Sequence, residues 1–235
     1  MHPTDKAARV AGAIYLSMVF LGPFSLMYVP RTLIVRGNAT ATAANILARE
    51  TLFRFGIAAD LIGMVVFILL ALALYRLFSG VNKTHALALV ALVLVSAAVG
   101  FLNVLNNIAA LTLIRGADFL AVFQKPQRDA LAMLFLRLYS QGIMINEIFW
   151  GLWLFPFGVL VMKSRFLPRI LGVLLIVNGF AWMAVGLLSL LLPDYPSIVD
   201  QFARIAETGE LWIMLWLLIK GAKVESLPAA VPEPI

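Results

Sequence analysis

Ionisable residues stand inside stretches of this chain that otherwise read as hydrocarbon-soluble. Arg54, Asp60, Arg137, Glu147 and Glu210 each lie in or at the edge of an apolar run, and at least four such runs are long enough to cross a bilayer without interruption. One crossing takes about 20 apolar residues. Backbone polar groups in a bilayer must be satisfied within the segment, so runs of this kind fold as helices. A charge at that depth is costly and normally faces protein or water with a partner. Any chemistry is therefore expected where these few groups meet.

Composition narrows the class. Hydrophobic residues make up 63% of the chain and charged residues 13%, where a soluble domain has about half and about a quarter. The mean hydropathy of +0.98 excludes an ordinary soluble domain. The 235 residues leave room for about six helices and their loops, so residues 1–226 are expected to form a single membrane domain. Cysteine is absent, which excludes disulfides, thiolate metal sites and a Cys nucleophile. The only histidines are His2 and His85, so neither a His-built metal centre nor a bound cofactor is expected. The net charge of +6 and pI near 9.9 would suggest nucleic acid in a soluble protein. Here the basic residues cluster at helix ends, as membrane topology requires, and no nucleic-acid partner is expected. There is no P-loop, no glycine-rich dinucleotide motif, no HExxH and no GxSxG.

The spacing predicts an all-α bundle of six transmembrane helices over about 10–29, 51–78, 84–114, 130–162, 170–192 and 200–219. The first follows Lys6 and Arg9 as a signal peptide would. It is too long for a signal core and lacks a small-residue cleavage site, so it reads as a retained helix, bent near Gly22-Pro23. Between the first two helices, Asn38 is placed to cap a short amphipathic helix over about 39–49, lying at the interface or folded back over the bundle. Segment 116–129 reads as a loop with a short amphipathic piece near Phe119. Pro193, Asp194 and Pro196 end the fifth helix, and the Pro-rich tail 227–235 is expected to be disordered. With the N-terminus inside, nine Lys and Arg residues fall on inner segments and seven on outer ones. Both termini are then cytoplasmic.

The polar residues fall into groups. Asn103, Asn106 and Asn107 share one face of the third helix. Their choices are interhelical hydrogen bonds or the wall of a cavity. On the fourth helix Arg137, Ser140, Gln141 and Met144 follow helical spacing, with Asn146 and Glu147 near the bilayer midplane. Glu147 is either hydrogen-bonded to an amide or a proton- or cation-binding group. Asp60 lies two turns inside the second helix, too short to snorkel as Arg54 can. Glu210 is placed to partner Arg54 or Arg137, and Arg204 and Glu207 to pair on the surface. Together these residues predict a polar, outward-opening pocket between helices two, three, four and six. Two carboxylates on separate helices also allow an acid–base pair.

Several blocks carry a resemblance. They are Leu52-Phe53-Arg54-Phe55-Gly56, leading to Asp60, and Phe149-Trp150-Gly151-Leu152-Trp153-Leu154-Phe155-Pro156. Ser164-Arg165-Phe166-Leu167-Pro168-Arg169 and Glu210-Leu211-Trp212 complete them. The chain resembles the domain-of-unknown-function 4386 family over nearly its whole length. The resemblance implies a bacterial protein of the cytoplasmic membrane and brings no established reaction. It also implies that glutamine is common at the position of Glu147, so that a carboxylate there is not essential to the family. Arg165 and Arg169, in a turn without acidic residues, are expected to anchor the chain and contact lipid headgroups. Gly151, Gly158 and Pro156 are expected to allow close helix approach and a bend.

The sequence thus predicts a multi-pass protein whose partners are membrane lipids and a small molecule or lipid bound in, or passed through, a polar intramembrane pocket. A non-catalytic interaction or sensory subunit is the second reading. An intramembrane enzyme built on Asp60, Glu147 and Arg137 is the third.

Overall fold

Helices follow the apolar runs. The computed structural model describes residues 3–191, 202 and 208–222. Helix α1 (Pro3–Pro23) passes through a π-helical turn (Phe24–Tyr28) into α2 (Val29–Leu33), giving one apolar span, Thr4–Leu33. The irregularity falls directly after Gly22-Pro23, where the sequence predicts a bend. Pro23 has no N–H for the carbonyl of Val19, and the following turn closes with the wider π register.

Helix α3 (Ala39–Ala48) is capped by Asn38, whose Oδ1 accepts from the Ala41 N–H at 2.9 Å. Thr42, Ala43 and Ile46 are buried. The helix therefore folds back over one end of the bundle, where Ile46 meets Leu33, Phe53, Ile114 and Leu136 in a small core.

Helices α4 (Glu50–Phe78) and α5 (Lys83–Arg115) begin and end within a residue of expectation. The expected loop at 116–129 is shorter than predicted, because α6 (Lys125–Leu152) starts at Lys125 rather than Ala130. Pro126 sits in the first turn, where its missing N–H costs nothing. Gln124 and Gln127 cap that turn reciprocally. Helix α7 (Leu154–Lys163) continues α6 after a break at Trp153. Pro156 leaves the carbonyl of Leu152 without its helical donor, which fixes the break there. Helix α8 (Arg169–Leu191) follows. A final helix, α9 (Leu211–Leu215), runs into a second π-helical turn (Trp216–Lys220). The Pro193–Pro196 stop, the Arg204–Glu207 pair, most of the start of the predicted sixth helix and the tail 227–235 lie outside the described residues.

Five helices among the described residues are long and apolar enough to cross a membrane: Thr4–Leu33, Glu50–Phe78, Lys83–Arg115, Lys125–Lys163 and Arg169–Leu191. That is the mark of a multi-pass membrane protein. Phe20, Phe55, Leu102, Phe180 and Leu190 are each more than 60% exposed, an apolar outer face that water would not tolerate at this density.

Two different interiors result. Around Trp153 the bundle is closely packed and apolar. Trp153, 2% exposed, packs edge-on to Phe67 and stacks on Phe157, with Leu70, Leu74, Leu175 and Leu217 around them. Helices α6 and α7 meet α8 along glycines. A Cβ at Gly158 would lie 2.7 Å from the carbonyl oxygen of Gly172, and one at Gly179 would lie 2.9 Å from that of Gly151. The predicted close approach at Gly151 and Gly158 is therefore met by two further glycines on α8. Towards α3 the packing opens, and that half holds the polar residues treated next.

Candidate functional site

Helix α6 aims its side chains at one space. Leu136, Tyr139, Ser140, Ile143, Met144 and Glu147 recur at three- and four-residue spacing and so lie on one face. Opposite them the π-helical turn brings Ser25, and α4 brings Asp60. Gly56, one turn before Asp60, has no side chain to hold α4 away; a Cβ there would meet Val29 of α2 at 3.0 Å. Between these elements and Asn107 of α5 lies a cavity of about 280 Å³. It adjoins a vestibule of about 480 Å³, with which it shares Leu26, Pro30, Ile34, Leu136 and Ser140 as lining. Arg31, Arg36 and Arg137 stand around the vestibule.

The deep groups are held unequally. Asp60 is buried, and the Tyr139 hydroxyl donates to its Oδ2 at 2.5 Å. The Ser25 hydroxyl lies beside the same carboxylate. Tyr139 is itself positioned from behind: Asn103 donates to its backbone carbonyl at 2.9 Å, and Asn106 donates to Asn103 at 3.1 Å. Asn107 lies beside the Tyr139 side chain. Glu147 is different. Its Oε2 is buried and accepts no hydrogen bond among the described residues, although the residue lines the cavity. A buried acceptor left open in this way is rare and calls for an explanation. The arrangement offers one satisfied carboxylate, one unsatisfied one and apolar walls, which suits a molecule carrying a hydrogen-bond donor.

The structure sorts the sequence-predicted residues. Asp60, Asn107 and Glu147 line the cavity, and Arg137 its vestibule. Asn103 and Asn106 act behind the wall. Asn146 accepts from Ser96 at 2.9 Å and does not bond Glu147, while its Nδ2 is buried without a partner among the described residues. Gln141 is exposed and lines neither space. Arg54 is also outside, exposed and paired with Glu50 at 2.7 Å, which Arg115 reaches at 3.3 Å. Glu210 does not pair with Arg54 or Arg137 as expected. Tyr15 donates to its Oε2, and Trp182 donates to Oε1 at 3.0 Å, with Asn178 at 3.4 Å. These partners tie the last helix to α1 and α8, away from the cavity. The first span, not the last, therefore completes the pocket. Arg165 and Arg169 lie exposed in the turn at the opposite end, Arg165 with φ of 60°.

Sequence reasoning missed Ser25, Tyr139, Arg31 and Arg36. Tyr139 precedes Ser140 on the already suspected face, and Ser25 follows the helix-distorting Pro23, so both had a local signal. Arg31 and Arg36 read as loop charges, and only the folding back of the chain after α2 brings them to Arg137.

A family model described as domain of unknown function (DUF4386) matches residues 10–221. The chain belongs to the DUF4386 family. Every cavity and vestibule residue of this DUF4386 protein falls within the matched region. It is also similar to an uncharacterized protein of Archaeoglobus fulgidus, with 29% identity over 83 residues, 35% of this chain and 48% of that one. The chain thus spans about half the length of the curated relative it matches. No solved structure matches.

Proposed function

We infer that this DUF4386 protein binds a small molecule or lipid in the cavity between α1–α2, α4, α5 and α6, and passes or presents it across part of the bilayer. The observation that carries this reading is a pair of adjoining hollows, one edged by surface arginines and the other lined by Asp60 and Glu147, whose Oε2 has no partner among the described residues. Ligand sites are typically apolar hollows of roughly 300–1,000 Å³ with a few convergent polar groups, and this one has that make-up. The vestibule that adjoins it lies at the α3 end, beside Arg31, Arg36 and Gly37.

The same reading places six crossings in a bacterial cytoplasmic membrane. Leu211–Lys220 contributes to the sixth, and both termini are cytoplasmic. The support is the short connection at the end opposite α3, which carries Lys163, Arg165 and Arg169 and no acidic residue. Arg165 and Arg169 there contact headgroups.

Native mass spectrometry of the protein released from membranes tests the proposal. Wild type is expected to carry a bound adduct that Ile143→Trp, which fills the cavity, loses while keeping its thermal midpoint. Glu147→Gln is expected to weaken retention. A wild type with no adduct, or an adduct equally retained by the filled variant, would remove the pocket as the functional site.

A further inference from the structure

Three arginines converge on the vestibule and no carboxylate answers them there. Arg31 comes from α2, Arg36 from the turn that follows it, and Arg137 from α6, so two parts of the chain about a hundred residues apart bring three charges to one mouth. All three are exposed, and the vestibule lining contains neither Asp nor Glu. Among the described residues none of them forms an ion pair, whereas Arg54 and Arg115 at the same end share Glu50. Like charges gathered around a low-dielectric opening repel one another and raise the local concentration of anions. Guanidinium groups also match phosphate and carboxylate oxygens with paired hydrogen bonds.

The polar groups then change in kind away from the mouth. Below the arginines the walls are apolar, with Val29, Leu33, Ile57, Ile143 and Met144. At the bottom stand Asp60 and the unpartnered Oε2 of Glu147. An anion is drawn to the arginines at the mouth, whereas the inner cavity offers it carboxyl groups. An apolar body suits the space between, and the floor takes a donor rather than a second acid. A uniformly polar solute satisfies neither the walls nor this change.

We propose that the site takes an anionic amphiphile: a phosphate or carboxylate head held by Arg31, Arg36 and Arg137, with its apolar body in the cavity towards Asp60 and Glu147. The proposal rests on the pocket reading above and narrows it to one class of ligand. A membrane lipid headgroup and a free amphiphilic anion share this chemistry.

The test uses the full chain in phosphatidylcholine nanodiscs with hexyl phosphate as probe and hexanol as its uncharged counterpart. Hexyl phosphate is expected to bind and raise the thermal midpoint, and hexanol to do neither. Arg31→Gln combined with Arg137→Gln should weaken hexyl phosphate binding at least tenfold, leaving the ligand-free midpoint unchanged because both side chains are exposed. Lys163→Gln, at the far end, should bind as wild type. Adding phosphatidylglycerol separates the sources: competition with the probe identifies the lipid headgroup as an occupant, and undisturbed probe binding identifies the free anion. Equal binding of hexyl phosphate to wild type and the double arginine variant would overturn the proposal, as would equal binding of hexanol. If Ile143→Trp still loses an adduct in that case, the pocket stands and only its anionic specificity falls.

Discussion

Replacing Trp153 with alanine is expected to destabilise the bundle more than any other single truncation, by on the order of 3 kcal/mol. Large aromatic truncations in cores cost about 3–5 kcal/mol, part of it transfer free energy and part the void left behind. The transfer part shrinks here, because the reference state also lies in hydrocarbon and helix association depends on packing instead. The void remains, since Phe67 and Phe157 lose their shared partner and Pro156 fixes the neighbouring backbone. Phe20→Ala supplies the contrast: that residue is 68% exposed and its loss should shift stability by less than about 0.5 kcal/mol. Reversible unfolding in mixed micelles measures both. Equal effects would mean that the aromatic packing is not what closes this half of the bundle.

The second large effect is expected at Tyr139. Tyr139→Phe removes the hydroxyl that donates to buried Asp60. A buried hydrogen-bonding group left without its partner costs about 1–3 kcal/mol in desolvation. A loss of about 2 kcal/mol is therefore expected for Tyr139→Phe alone. Asp60→Leu with Tyr139→Phe should recover much of it, because replacing both partners by apolar groups is close to neutral. A double-mutant cycle reads this coupling directly. Additive losses would show that the two groups do not depend on each other.

The reach of the sequence had a physical limit. Features set by neighbours along the chain were legible. Asn38 as a cap, the distortion after Pro23 and the break before Pro156 each follow from local backbone chemistry. The apolar runs gave the long helices for the same reason. Pro126 was ambiguous, since a proline suits a loop and a first helical turn equally, and the Gln124–Gln127 cap decided it. Partners across helices were not legible. Glu210 finds Tyr15, 195 residues away, and nothing in either neighbourhood announces the other. Arg54 shows the opposite error: its partner Glu50 lies one turn back on the same helix, within reach of the i, i+4 rule, while a more distant partner was expected.

The candidate site divides in the same way. Asp60, Glu147 and Arg137 stand out because charge in an apolar run is costly wherever it lies. Which helices surround them depends on how α2 and α3 fold over the end of the bundle. That return places Ser25, Arg31 and Arg36 against α6, and it leaves Gln141, on the same helix as Glu147 but turned outward, without a role in the pocket.

The absence of cysteine allows the cavity to be probed one position at a time. Ser140→Cys and Met144→Cys place a thiol on its wall, and Ile145→Cys places one on the outer face, where Ile145 is 56% exposed and lines neither space. In membrane fragments open on both sides, a charged, bilayer-impermeant thiol reagent should modify the first two quickly and leave the third unmodified. Modification of Ile145→Cys at the rate of Ser140→Cys, or silence at both wall positions, would mean that water does not enter the bundle where the cavity lies.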